Sequence, residues 1–289
     1  MSLKHVQAKK SLGKNKNYSG FRWLFCVLLN YSHQRIHKTK TRVREEQIMY
    51  GWRARIGHVA PSRGDTLVYE FYRMLPEGFM ILNTTGTVRQ LVDTDFEKQL
   101  ERIEEAVHDL VENNCDAIIF SGSPLFTRLE FGTADKMGKR LTEKFGVPIA
   151  AGLAAEVEAL KAMSVKKLVI GTPYEEEINQ RLKRYLQASG FEVLQIAGYG
   201  VRKNAQLTDL PVHASYKIAK RLYAKDRDAD GIFIPCPRWP TITDVALLES
   251  EIGKPVVTSS QACIWYALKL LEIKEPISGY GRLMASLGS

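Results

Sequence analysis

Asp230-Gly-Ile-Phe-Ile-Pro-Cys236-Pro-Arg-Trp-Pro240 decides how this chain is read. Gly231 to Pro235 is a short apolar run with Asp and Gly before it and proline after it, the pattern of a fully buried strand in a parallel sheet. Ligands collect at the carboxyl ends of such strands. Cys236 falls there, between two prolines and just before Arg238. A structural cysteine usually lies inside an apolar run, whereas this one follows a run, so a working thiol is the stronger expectation and a packing thiol the alternative.

The stretch has a partner in Asp116-Ala-Ile-Ile-Phe-Ser-Gly122-Ser-Pro124, which has the same layout of Asp, small residue, apolar run and proline-containing turn. Counting six residues on from each Asp reaches Gly122 in one copy and Cys236 in the other. Gly146-Val-Pro148 matches Gly253-Lys-Pro255, and Arg55-Ile-Gly-His-Val-Ala-Pro61 matches Lys167-Leu-Val-Ile-Gly-Thr-Pro173. The expected fold is therefore α/β: two similar Rossmann-like units with parallel sheets, related by a pseudo-two-fold axis, with the active site in the cleft between them. The expected boundaries are 51–163 for the first unit and 164–258 for the second, with 259–289 packing back on the first.

Charge is informative only once it is located. Of 41 Lys/Arg and 32 Asp/Glu, residues 1–50 hold 11 and 2, so the remainder carries 30 of each and is neutral. The net charge of +9 thus gives no hint of a nucleic-acid domain in the folded body. Residues 1–50 read as a basic, poorly ordered extension rather than a signal peptide, since Arg22 interrupts the short apolar core Phe21–Leu29 and no cleavage-type site follows. A basic arm for membrane or nucleic acid is the other reading of this segment. No apolar run is long enough to span a bilayer. Four cysteines without framework spacing and six histidines without a paired motif give no disulfide scaffold and no zinc site, which points to a cytoplasmic protein.

In chain order, strands are expected at 55–60, 80–84, 117–120, 148–151, 168–171, 191–197, 231–235 and just before Thr258. Helices are expected at 67–75, 95–113, 154–163, 175–189, 212–225 and 262–271, with a loop and helix over 125–146. The turn Pro61-Ser62-Arg-Gly-Asp-Thr66 offers backbone N–H groups that would suit an anion or cap a helix. Glu175, Glu176 and Glu177 suit a helix's first turn. Tyr174 falls at a strand's carboxyl end, where its phenol can donate into the cleft. The polar stretch 199–210 is expected to cover that cleft.

A cleft with one thiol, several hydroxyls and strand-end N–H groups can hold a carboxylate or a developing enediolate. The thiol then acts as acid or base. Two facing thiols would permit racemisation, but Gly122 occupies the second place.

These residues resemble the aspartate/glutamate racemase superfamily, and within it the arylmalonate decarboxylase and maleate cis-trans isomerase branch. The resemblance covers about residues 55–284. It rests most on Gly171-Thr-Pro-Tyr-Glu-Glu-Glu-Ile-Asn-Gln-Arg181, Asp230–Cys236, Gly253-Lys-Pro-Val-Val-Thr-Ser-Ser260 and Gly279-Tyr-Gly-Arg-Leu283. Most of the superfamily carries a cysteine in each half, whereas the decarboxylases have glycine at the first place, as this chain has Gly122. The resemblance implies a cofactor-independent decarboxylase of a malonate-type, aryl-substituted or other, carboxylic acid, with no metal or organic cofactor. Cys236 would protonate an enediolate, with Gly122, Ser123, Tyr174, Ser62 and Arg238 around the substrate. The alternatives are an isomerase or racemase of a small carboxylic acid, or a binding homologue without turnover. Expected partners are a small carboxylic acid and, in a homo-oligomer, further copies of the chain, with no nucleic acid and no membrane.

Two departures from the decarboxylase pattern stand out. Pro124 and Pro237 replace residues that carry an N–H. Arg238 is expected to lower the Cys236 pKa, and Trp239 to shape a bulky pocket.

Overall fold

The structure, a computed structural model, describes residues 50–211 and 213–288. The extension expected over residues 1–50 lies outside this range, save Tyr50. Among the described residues, no helix is long and apolar enough to cross a membrane.

The first half runs β1 (Ala54–Ala60), α1 (Asp65–Met74), β2 (Phe79–Thr85), α2 (Asp93–Glu112), β3 (Ala117–Phe120), α3 (Ser123–Phe126), α4 (Thr133–Phe145), β4 (Ile149–Ala151) and α5 (Gly152–Ala162). The second runs β5 (Lys167–Tyr174), α6 (Glu176–Ala188), β6 (Glu192–Val201), a 3-10 turn (Asn204–Asp209), α7 (Ala214–Lys225), β7 (Gly231–Ile234), α8 (Ile242–Ile252), β8 (Val256–Thr258), α9 (Ser259–Leu270) and α10 (Gly281–Ala285). Each half builds one four-stranded sheet, in the order β2-β1-β3-β4 and β6-β5-β7-β8, with every pair parallel. The fold is α/β, as the sequence implied, and its two sheets have one topology.

The repeated sequence has a physical reason. β3 and β7 are inner strands, buried along their whole length, so each is a continuous apolar run. The aspartate before each run ties it to the strand beside it. The Asp116 carboxylate accepts from the Arg55 N–H at 2.9 Å, and that of Asp230 accepts from the Lys167 N–H at 2.9 Å. Gly146 and Gly253 end α4 and α8 in the left-handed conformation, with φ of 68° and 71°, and a proline two residues later leads into each edge strand.

In each sheet the order in which strands are added reverses between the first and third strands in sequence. That places the crevice beyond β1 and β3 in one half and beyond β5 and β7 in the other. Pro61, Ser62 and Gly122 stand at the first crevice; Tyr174 and Cys236 stand at the second. α5 and α9 pack on each other across the join, and Asp93 of α2 pairs with Arg181 of α6 at 2.9 Å.

The segments after β2 and β6 also meet. Gln90 and Lys203 form an antiparallel bridge, flanked by Leu91 N–H donating to the Arg202 carbonyl and Asn204 N–H to the Arg89 carbonyl, both 2.9 Å. The polar stretch 199–210 consists of the end of β6, this bridge and the 3-10 turn. α8 has no counterpart among the sequence expectations. Its start is specified by a residue far away in the chain: the buried Glu70 carboxylate accepts from the N–H groups of Thr241 and Ile242 at 2.7 and 3.1 Å.

Candidate active site

A cavity opens where the two crevices face each other. Its wall includes His58, Ser62, Ser121, Gly122, Tyr174, Asn204, Cys236 and Arg238, with an apolar side formed by Val88, Leu91, Phe96, Leu125 and Leu207. Pro124 and Pro237 line it as well, and Arg63 stands exposed at its mouth.

Cys236 lies two residues beyond β7 with φ of 92°, a left-handed conformation that is strained for any residue with a Cβ. Its backbone N–H donates to the Ser259 hydroxyl at 2.9 Å. The Tyr174 hydroxyl and the N–H groups of Arg238 and Trp239 reach the sulfur. Burial nevertheless pushes the thiol pKa up, against the lowering pull of those donors and of the Arg238 charge. The expectation that Arg238 would depress the thiol is therefore corrected: its pull is real, but desolvation outweighs it. A thiol held in this way is protonated at neutral pH.

Gly122 lies two residues beyond β3 with φ of 124°, the corresponding place in the first half. Ser62 is buried, and its oxygen accepts from Asn204 Nδ2 at 2.7 Å. Arg238 Nη1 donates to both the backbone and side-chain oxygens of Asn204, at 2.5 and 2.7 Å, so the guanidinium is fixed along the wall. Thr66 and Asp65, at the start of α1, are turned to Arg238, with Thr66 Oγ1 donating to its carbonyl at 2.9 Å.

Ser123 is not brought into the cavity. Its hydroxyl donates to the Glu156 carboxylate at 2.8 and 2.9 Å, because the first turn of α3 faces α5. Trp239 is likewise turned away, into the second core, with its ring edge-on to Tyr199. Glu175 and Glu177 pair with Arg202 and Arg181 at the surface.

Glu156 is a buried residue that sequence reading passed over. Its carboxylate also accepts from the Ser259 hydroxyl, so one acid ties the turn after Gly122 to the turn of Cys236. Desolvation raises its pKa to about 7, against the pull of the two serines. The signal for it was spacing: Glu156 shares an inward stripe with Leu153 and Leu160, three and four residues away. His58 was also missed, although a histidine inside an apolar strand is a signal in itself. Burial lowers its pKa to about 4, so the imidazole is neutral. Among the described residues, no group of three His, Cys, Asp or Glu is arranged to hold a metal ion.

Fold and site together define an α/β protein of two like halves with, among the described residues, one thiol in the cleft. The arylmalonate decarboxylase family profile matches residues 56–284, and the chain belongs to that family. It is 22% identical over 245 residues to the maleate isomerase of Pseudomonas putida KT2440, covering 80% of this chain and 97% of that one. It is 22% identical over 231 residues to the arylmalonate decarboxylase of Bordetella bronchiseptica, covering 79% and 95%. Among solved structures, the maleate isomerase of Pseudomonas putida S16 with maleate superposes with a TM-score of 0.76 at 17% identity, covering 81% of this chain and 98% of that one. A liganded glycine-to-cysteine, cysteine-to-serine double variant of arylmalonate decarboxylase gives 0.73 at 21%, covering 80% and 98%.

Proposed function

We propose that this protein is a cofactor-independent decarboxylase of a malonate-type carboxylic acid, with Cys236 as the proton donor. The observation that carries this reading is the pairing of a buried, protonated thiol in one half with Gly122 at the equivalent place in the other. One face of a planar intermediate then has an acid, and the opposite face has none at the matching position.

The retained carboxylate is held by the hydroxyls of Tyr174 and Ser62, with Arg238 as the nearby charge. The departing carboxylate faces Val88, Leu91, Phe96, Leu125 and Leu207, where an anion is poorly solvated and loss of charge is favoured. The carbon–carboxylate bond breaks, CO2 leaves, and the electron pair moves into the retained carboxylate as an enediolate. The Cys236 S–H then gives its proton to that carbon, and the thiolate takes a proton back from solvent. Ser123, expected at the substrate, serves instead to brace the Gly122 turn through Glu156.

The second reading is a cis-trans isomerase. It is favoured by the maleate isomerases among the relatives, one of which, from Nocardia farcinica, has been solved as a cysteine-to-serine variant with a covalently bound succinylcysteine intermediate. Such chemistry needs a nucleophilic sulfur, and burial holds the Cys236 thiol in the opposite state. The two readings separate on prochiral disubstituted malonates and on maleate, both incubated in D2O. The decarboxylase reading expects one CO2 and one deuterium per product, delivered to a single face. Conversion of maleate to fumarate without CO2 from any malonate would replace it with the isomerase reading.

A further inference from the structure

The wall beneath Gly122 carries a polar chain that the proposed reaction does not use. His58 on β1 is paired in register with Asn83 on β2 and with Ile119 on β3. Ser121, two residues past Ile119, continues the same face of the sheet. The three side chains therefore meet: His58 Nδ1 lies 2.6 Å from Asn83 Oδ1, and His58 Nε2 lies 2.8 Å from Ser121 Oγ. Gly64 lets the loop after β1 lie over them, since a Cβ there would fall 2.4 Å from Asn83 Oδ1. His58 and Ser121 are both buried, and both line the cavity.

The direction of these bonds follows from the donors available. Burial keeps the imidazole neutral, so it carries one N–H. The Asn83 oxygen can only accept, which puts that hydrogen on Nδ1. Nε2 is then a lone pair, and the Ser121 hydroxyl donates to it. The Ser121 proton is committed to His58, and what its oxygen has left is acceptor capacity at the cavity wall. A carboxylate there would meet lone pairs, whereas an O–H or N–H would be matched.

We propose that Asn83, His58 and Ser121 form a subsite that reads a hydrogen-bond donor on the substrate, selecting carboxylic acids whose α-carbon bears a hydroxyl or amino group. This rests on the reading of the cavity as a carboxylic-acid site and adds the class of substituent. A wall built to accept a hydrogen bond rejects the isostere that lacks the donor, because its own acceptor is left unpaired.

The test uses the full chain and pairs of monoacids that differ by hydroxyl for methyl: lactate against isobutyrate, and mandelate against hydratropate, with binding measured by calorimetry. The hydroxyl acid of at least one pair binds roughly tenfold tighter than its methyl partner, and Ser121→Ala abolishes the preference. Equal affinities, failure of both hydroxyl acids to bind, or a preference that survives in Ser121→Ala overturns the proposal. Nitrogen NMR of the imidazole-labelled parent provides a measurement that needs neither a ligand nor a variant. His58 should be the Nδ1–H tautomer at neutral pH, and an Nε2–H tautomer or an imidazolium contradicts the assignment. Monoacid binding needs no CO2 release, so a chain that keeps the hydroxyl preference but decarboxylates nothing retains the subsite and loses the decarboxylase reading.

Discussion

Gly122 and Cys236 stand at one place in the two halves, each two residues beyond a buried inner strand, with φ of 124° and 92°. The backbone there demands a conformation that suits glycine. One half fills the place with glycine, and the other accepts the strain in order to hold a thiol. Strain of this kind persists where surrounding structure over-determines it, here through Ser259, Tyr174 and the turn at Arg238.

Gly122→Cys is therefore expected to fold, at a cost. A Cβ at this position meets Pro61 Cγ at 3.2 Å, so the proline ring must move by a few tenths of an ångström. Together with the left-handed backbone, this lowers stability by roughly 1–3 kcal/mol. The variant gains a second thiol facing the first and should exchange the α-proton of a chiral monoacid with solvent and racemise it. Proton NMR in D2O and chiral chromatography check this, and a folded variant with no gain in exchange would break the facing geometry.

The pH dependence of stability contains an isolable contribution from Glu156. Its carboxyl has an ordinary value of 4.5 and a folded value of about 7, so between these values the folded chain keeps a proton that the unfolded chain has lost. Stability from this group is full below about 4.5 and declines as pH rises through about 7, by roughly 3 kcal/mol in all. His58 acts in the opposite sense: its contribution is full above 6.5 and is lost as pH falls through about 4. The windows overlap, so the difference between Glu156→Gln and the parent is the useful quantity. The variant's melting temperature should gain on the parent by about 5 °C between pH 5 and pH 8. A difference that stays flat with pH would mean that Glu156 is ionised in the folded chain throughout.

Much of this was legible in the sequence, and the limits have physical causes. The inner strands were found because burial on both faces leaves an uninterrupted apolar run, and the duplication because Asp116 and Asp230 make the same backbone contacts. Cys236 stood out by following such a run. Through-space partners were not legible. Ser123 sits beside Gly122 in the chain, yet it turns to an acid 33 residues away, and α8 takes its cap from Glu70, 171 residues from Thr241. The Arg238 effect was legible in sign, but burial, a property of the assembled fold, decides the balance at the thiol.

Arg238 is expected to act through binding. Its removal takes a charge from the wall and leaves both oxygens of Asn204 without their donor. For Arg238→Ala, KM should rise roughly ten- to hundredfold, with a smaller change in kcat. Arg238→Lys should recover only part of this, since one ammonium does not reproduce the guanidinium fork. Steady-state CO2 release reports both constants, and an unchanged KM would remove Arg238 from the substrate site.

Delivery of the proton by Cys236 is checked by CO2 release from a panel of substituted malonates by the parent and by Cys236→Ala. Release by the parent and a loss of about 10²–10⁴-fold in the variant are expected, the range for removing a positioned general acid. Equal release by the two proteins, or none by the parent on any malonate, would contradict it.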